Sequence, residues 1–248
     1  MVYFVSDIHL GAGSISERKS VEQAFVSWLD SIRSTAEALY IAGDMFDFWF
    51  EYHHVVPKGF VRVLSRLASF VDSGVKVVFL TGNHDMWIWN YLQKECGIEQ
   101  HTTPQILSIG GHKIYLAHGD NMNIGHAPML RLMNGFFRSK IARFLFHWFV
   151  HPDLAIGFGT WWSGKSRKSH VIEGDSELHR RKCLRSLEEY AQQYASTHKD
   201  IDCFIFGHMH QFCDETLFGR RLLFLDSWHN APNWIELDSN GNFELKRM

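Results

Sequence analysis

Short, continuous apolar runs recur along the chain, and five of them stop abruptly at a cluster of Gly, Asp, Asn and His. Val2 to Val5 runs into Ser6-Asp7-Ile8-His9, Leu39 to Ala42 into Gly43-Asp44, and Val75 to Thr81 into Gly82-Asn83-His84-Asp85. Lys113 to Ala117 runs into His118-Gly119-Asp120, and Cys203 to Phe206 into Gly207-His208-Met209-His210. Runs this short and this rich in β-branched and aromatic residues are strands buried on both faces. Between the early runs the spacing changes to that of helices, with Val21, Phe25, Trp28 and Leu29 on one stripe and Phe60, Val63, Leu64, Leu67 and Phe70 on another. That alternation predicts an α/β arrangement. Gly110-Gly111, Gly219-Arg220 and Asn240-Gly241 divide later runs and predict hairpins, hence mixed sheets. A further stripe of Cys183, Leu184, Leu187, Tyr190, Ala191 and Tyr194 predicts a scaffold helix over 177–198. Ligands of open α/β sheets collect beyond the carboxyl ends of the strands, so the five polar clusters are expected to meet at one edge.

The segment 121–177 breaks this rhythm and predicts a helical, aromatic-rich lid inserted into a single domain spanning 1–248. Phe136, Phe137, Phe144, Phe146, Trp148, Phe149, Phe158, Trp161 and Trp162 fall within it, interrupted by Arg131, Arg138, Lys140 and Arg143. Those charges leave no run long enough to span a bilayer, although an interfacial element remains compatible. Met129, Leu130, Leu132 and Met133 add apolar surface that either lines a chamber or packs as a helical core. Ser163-Gly164-Lys165-Ser166-Arg167-Lys168-Ser169 reads as a basic, hydroxyl-rich loop able to hold an anionic or polar group. It is not a phosphate-cradling glycine loop, because the aromatic Thr160-Trp161-Trp162 stretch separates Gly159 from Gly164.

Composition changes this picture in one respect. Of 248 residues 16 are His, an excess that favours a metal site or acid/base chemistry. The 25 basic and 27 acidic residues leave a formal charge of −2, and 46% of residues are apolar, which excludes a disordered chain and a polybasic nucleic-acid binder. The four cysteines form no C-x-x-C pair and read as reduced structural thiols. Polar residues arrive by Asp7, so no secretory leader is expected and a cytoplasmic location is.

Asp7-x-His9, Gly43-Asp44, Gly82-Asn83-His84-Asp85, His118-Gly119-Asp120 and Gly207-His208-x-His210, in this order and each at a strand end, resemble the five blocks of the calcineurin-like metallophosphoesterases. The chemistry asks for these residue types. Two divalent ions clamp the attacking and leaving oxygens of an in-line phosphoryl displacement and let water ionise near neutral pH. The resemblance implies that Asp44 bridges the ions, that Asp7, His9 and His210 complete the first site, and that Asn83, His118 and His208 complete the second. It implies Mn²⁺ as the ion, with Fe²⁺ or Zn²⁺ as alternatives for a carboxylate, imidazole and amide donor set. It places His84 at the substrate phosphoryl group as a catalytic residue. Asp120, and Asp85 with it, read either as carboxylates orienting imidazoles or as turn residues.

Over essentially the whole length the chain is most similar to the UDP-2,3-diacylglucosamine pyrophosphatases of lipid A biosynthesis. Ser6-Asp7-Ile8-His9-Leu10, Gly43-Asp44-Met45-Phe46-Asp47, the insertion after Asp120 and Ser227-Trp228-His229 carry that resemblance. Many members carry Arg where His84 stands, which points to a divergent branch or another substrate. The family implies hydrolysis of an amphiphilic UDP-sugar to UMP and diacylglucosamine 1-phosphate by an enzyme peripheral on the inner membrane, with no nucleic-acid partner. It implies a metallophosphoesterase fold of sandwich-like α+β type, mixed sheets flanked by helices. Asn121, Lys165, Ser166, Arg167 and Lys168 are the expected substrate contacts. The alternatives are a soluble phosphoesterase acting on a nucleotide, phosphoprotein or other phosphodiester, and a metal-free scaffold.

Overall fold

The computed structural model describes residues 1–122, 135–136, 139–174 and 177–248; the side chains of residues 140, 162, 165–174, 177–180, 182 and 183 fall outside that description. Eleven strands in the described residues divide into two sheets. The first has the order β11-β10-β1-β2-β3-β4, where β1 (Val2–Val5), β2 (Ala38–Ala42), β3 (Lys76–Leu80) and β4 (Glu99–His101) are parallel. β10 (Asn233–Leu237) pairs antiparallel with β1, and β11 (Phe243–Arg247) with β10. The second has the order β5-β6-β7-β9-β8. There β6 (His112–Ala117), β7 (Cys203–Phe206) and β9 (Arg220–Phe224) are parallel, and β5 (Gln105–Ile109) and β8 (Cys213–Leu217) are antiparallel hairpin partners. The glycine-marked hairpins expected from the sequence are β5-β6, β8-β9 and β10-β11.

Alternate residues of each strand separate the layers. Val2, Phe4, Tyr40 and Val78 of the first sheet face Ile114, Leu116, Ile205 and Leu223 of the second across a common core. Tyr3, Val5, Leu39, Ile41 and Phe79 point the other way, onto α1 (Ile15–Ile32), α2 (Val61–Asp72) and α3 (Tyr91–Cys96). Tyr115, Phe204, Phe206 and Phe224 point outward from the second sheet onto Leu187, Ala191 and Ala195 of α6 (Glu177–Thr197). Strands covered on both faces need apolar residues at every position, which is why the runs in the sequence do not alternate. The result is a helix–sheet–sheet–helix sandwich in which β1, β2, β3, β6 and β7 all deliver their carboxyl ends to one edge.

α1 begins with a capping box: Ser14 Oγ accepts from Glu17 N at 3.3 Å and Glu17 Oε2 accepts from Ser14 N at 2.6 Å. Among the described residues the insertion holds α4 (Lys140–Phe149) and α5 (Pro152–Gly174). The stretch 163–169 is therefore helical, which corrects its reading as a loop. Ala155, Gly159 and Ser163, at every fourth position of α5, are buried. That small-residue stripe lets the helix settle against the body of the protein, and packing outweighs the loop-forming character of Ser163, Gly164, Ser166 and Ser169.

Candidate metal centre

Five strand-end loops meet at the edge, and the backbone there is held in an uncommon conformation. Asp7, His9, Asp44, His208 and His210 all have positive φ, between 49° and 65°, and among the described non-glycine residues only Phe60 and Phe218 join them. Such conformations cost about 1–3 kcal/mol each and persist where surrounding structure over-determines them. The surroundings here are hydrogen bonds between loops. Asp7 N donates to Gly43 O at 3.2 Å, His9 N to Asp44 O at 3.0 Å and Gly207 N to His118 O at 3.1 Å. Gly43 and Gly82 are required by close approach: a Cβ on Gly43 would lie 2.5 Å from His118 Nδ1, and one on Gly82 would strike the Asp44 carboxylate.

Each of the two central carboxylates is anchored by one oxygen and presents the other. Asp7 Oδ2 accepts from His208 N at 2.9 Å, and Asp44 Oδ1 accepts from His84 N at 2.9 Å. Asp7 Oδ1 then lies 3.2 Å from His210 Nε2 and 3.6 Å from His9 Nε2. Asp44 Oδ2 lies 3.2 Å from His118 Nε2 and 3.9 Å from both His9 Nε2 and His84 Nε2. His9 Nε2 and His210 Nε2 are 3.1 Å apart, and Asn83 Oδ1 is 3.2 Å from His118 Nε2. Ligand atoms of Asp7, His9 and His210 lie within 4.8 Å of one another, as do those of Asp44, His118 and His208. A third trio, His9, Asp44 and His84, lies between them by the same measure.

Asp7 and Asp44 are almost fully buried, and no Lys or Arg among the described residues pairs with either. Two buried carboxylates without a basic partner call for a cation, and the carboxylate, imidazole and amide donors suit a divalent one. His118 Nδ1 donates to Ala42 O at 2.9 Å, which turns its Nε2 toward Asp44 and Asn83.

The charges are strongly coupled. Burial raises the Asp7 and Asp44 carboxyl groups, yet the facing histidines outweigh it and hold both below the ordinary range. Burial pushes His9 and His208 down to about 4, so both rings are neutral at pH 7. Burial also opposes the charged forms of His118 and His210, but Asp44 and Asp7 prevail and raise them.

Of the two roles open to Asp85, orienting an imidazole or holding a turn, its contacts are those of the second. Asp85 Oδ1 accepts from Gly82 N at 2.8 Å and Oδ2 from Phe46 N at 3.3 Å, and burial with the nearby Asp44 charge pushes its carboxyl up to about 7. It ties the third loop to the second. Asp120 is half-buried, and its charge acts on His118 and His208. Asn121 is exposed and lines a cleft beside His118. Lys165, Ser166, Arg167 and Lys168 lie on α5, but their side chains lie outside the described residues.

Sequence reasoning missed Ser163 as a separate functional residue. It is 3% exposed, and its Oγ lies 2.6 Å from His84 Nδ1 and 2.7 Å from both the carbonyl and Oδ1 of Asp47. A contact across 79 residues leaves no local spacing by which to find it. Beside His84 and Ser163 opens an apolar cavity of about 350 Å³, walled by Phe48, Met86, Trp87, Phe146 and Phe158, with Asn83 and His84 exposed to it. On α4, Phe146 packs on Phe50 and Trp87, and His147 stacks between Tyr52 and Trp89. Its other face, with Ile141, Phe144, Leu145, Trp148 and Phe149, is exposed.

The sequence pattern of the calcineurin-like phosphoesterases matches residues 1–212. A UDP-2,3-diacylglucosamine hydrolase of Porphyromonas gingivalis (strain ATCC BAA-308 / W83) is 36% identical over 92% of this chain and 90% of its own. Those of Pseudomonas paraeruginosa (strain DSM 24068 / PA7) and Histophilus somni (strain 2336) are 25% and 24% identical, over 97% and 96% of this chain and 96% and 97% of their own lengths.

Proposed function

This chain belongs to the calcineurin-like phosphoesterase family, and from that premise we propose that it is a metal-dependent hydrolase that cleaves the diphosphate of UDP-2,3-diacylglucosamine. Water adds at the α-phosphorus, the bond from that phosphorus to the bridging oxygen breaks, and UMP and 2,3-diacylglucosamine 1-phosphate leave. Asp7, His9, Asp44 and His210 would hold one divalent ion, and Asp44, Asn83, His118 and His208 a second, with Mn²⁺ the ion expected. Bound there, the ions supply Lewis acidity to the phosphoryl oxygens and favour ionised water at neutral pH.

The chain's own groups do the rest. His84 aims Nε2 into the cluster, where it meets a phosphoryl oxygen, while Asp85 keeps the Gly82-Asn83-His84 turn in register with Asp44. The observation that carries the substrate reading is the aromatic cavity, because it opens on Asn83 and His84, next to where phosphate would bind. Acyl chains entering it would contribute about 0.8 kcal/mol per buried CH₂. Residues 121–177 then act as a lid over the substrate. The exposed aromatic face of α4 supports docking on the cytoplasmic surface of the inner membrane, where a diacylated sugar resides. No described helix is long and apolar enough to cross a membrane.

The test compares acylated with deacylated UDP-glucosamine in the presence of anionic phospholipid vesicles. A kcat/KM at least a hundredfold higher for the acylated form, activity abolished by chelator, and co-sedimentation with the vesicles are expected. Equal turnover of both forms would remove the lipid substrate, and failure to sediment would remove the membrane contact.

A further inference from the structure

A second, smaller cleft reaches the same cluster. It is lined by Thr81 beyond β3, by Thr102, Thr103 and Pro104 between β4 and β5, and by His118 to Asn121 beyond β6. The two cavities meet at one contact. Asn83 lines the apolar one, His118 lines the polar one, and His118 Nε2 lies 3.2 Å from Asn83 Oδ1. A molecule seated on Asp44 therefore has two directions in which to extend.

The chemistry of the two directions differs. The first is aromatic. In the second, the hydroxyls of Thr81, Thr102 and Thr103 make no hydrogen bond to any described residue, although Thr81 is buried. Thr102 and Thr103 are exposed, so their hydroxyls are open to a ligand, and a hydroxyl can both donate and accept. Among the described residues no Lys or Arg lines the cleft and Asp120 does, with the His118 imidazole only at its inner end beside the cluster, so the outer part favours a neutral polar group. The loop is set in advance: Gln105 Nε2 donates to Thr103 O at 3.0 Å and to Pro104 O at 3.1 Å, and Thr81 N donates to His101 O at 2.9 Å.

We infer that this cleft is the nucleoside subsite, in which Thr102 and Thr103, with Thr81 and Asn121, bind the uracil and ribose of the substrate. Uracil offers two carbonyl acceptors and one N–H donor, and ribose two hydroxyls, which hydroxyl and amide side chains match without charge. The substrate thus lies across the metal centre with its diphosphate at Asp44, its acyl end beside His84 and its nucleoside beside His118. This inference rests on the substrate reading above.

The experiment uses the metal-loaded protein and a Thr102→Val/Thr103→Val variant, which keeps side-chain volume and removes two exposed hydroxyls. Calorimetric binding of UMP is compared with that of ribose 5-phosphate, and turnover of UDP-2,3-diacylglucosamine with that of bis-p-nitrophenyl phosphate. In the variant, UMP affinity and the KM for the UDP-sugar are expected to weaken about tenfold. Ribose 5-phosphate binding should change less, bis-p-nitrophenyl phosphate turnover should stay within about twofold, and Thr103→Ser should bind UMP as the parent does. Unchanged UMP binding in the variant overturns the subsite even where the UDP-sugar is a good substrate. A parent protein that hydrolyses bis-p-nitrophenyl phosphate but not the UDP-sugar overturns the substrate reading instead, and UMP binding then judges the cleft separately.

Discussion

His84 is held from behind. Its Nδ1 lies 2.8 Å from the carbonyl oxygen of Asp47, which can only accept, so Nδ1 carries a proton and Nε2 faces the cluster. Ser163 adds a second contact to the same nitrogen and donates its own hydroxyl proton to Asp47. With Nδ1–H engaged, Nε2 can donate to a phosphoryl oxygen only when it too carries a proton; His84→Ala should then lower kcat by roughly 10²–10³, the effect of deleting one positioned donor at a developing charge. Ser163→Ala should lower kcat about tenfold with KM nearly unchanged, and ¹⁵N NMR should show His84 losing its ordered Nδ1–H hydrogen bond. A variant with normal kcat and an unaltered Nδ1–H signal would reduce Ser163 to a packing residue. The histidine was legible in the sequence because it adjoins Asn83 within a recognisable block. The serine was not, because it reaches the site only through the docking of a helix.

That docking depends on one face of α5. A Cβ placed on Gly159 would run into the ring of Phe48, whereas one on Gly157, two residues earlier in the same helix, would meet nothing within 4 Å. Glycine inside a helix is less favourable than alanine by about 1 kcal/mol, so Gly157→Ala should stabilise the protein by up to that amount. Gly159→Ala should reverse the sign, costing on the order of 1–3 kcal/mol as Phe48 is forced toward the cavity it lines. Urea denaturation of both variants reads the difference, and a stabilised Gly159→Ala protein would show that α5 does not rest on Phe48. Elements whose burial is set by their own residues were readable from the sequence: β1, β2, β3, β6 and β7 announce themselves as two-faced apolar runs with polar stops. The helicity of 163–169 was not readable, since glycine and serines favour a loop until Ala155, Gly159 and Ser163 find a surface to pack on. β4 was also missed, because Glu-Gln-His carries no strand pattern and is ordered by pairing with Val78 to Leu80.

The division of the strands between two sheets is a property of the whole chain, and so is the candidate metal centre. Residues from β1, β2 and β3 of one sheet supply Asp7, His9, Asp44 and Asn83, and β6 and β7 of the other supply His118, His208 and His210. Without a cation, protons take its place: Asp44 and Asp7 raise His118 and His210 above their ordinary value. A raised histidine stabilises the metal-free fold fully below its unfolded value near 6.5, and that contribution is lost as pH rises through the folded value. A metal held by these two rings would need both neutral, so its binding would displace those protons. His9 and His208, pushed down to about 4, offer no such competition near neutrality. The rise in Tm on adding Mn²⁺ should therefore be largest near pH 8 and shrink toward pH 6. Calorimetry near pH 7 in buffers of different ionisation enthalpy should detect net proton release. Asp44→Asn removes the charge that raises His118, and the variant's metal affinity should fall by about 10-fold or more, with fewer protons released. A metal-induced Tm shift independent of pH, with no proton release, would show that His118 and His210 are not ligands and would leave the two sheets joined by a polar cluster of another kind.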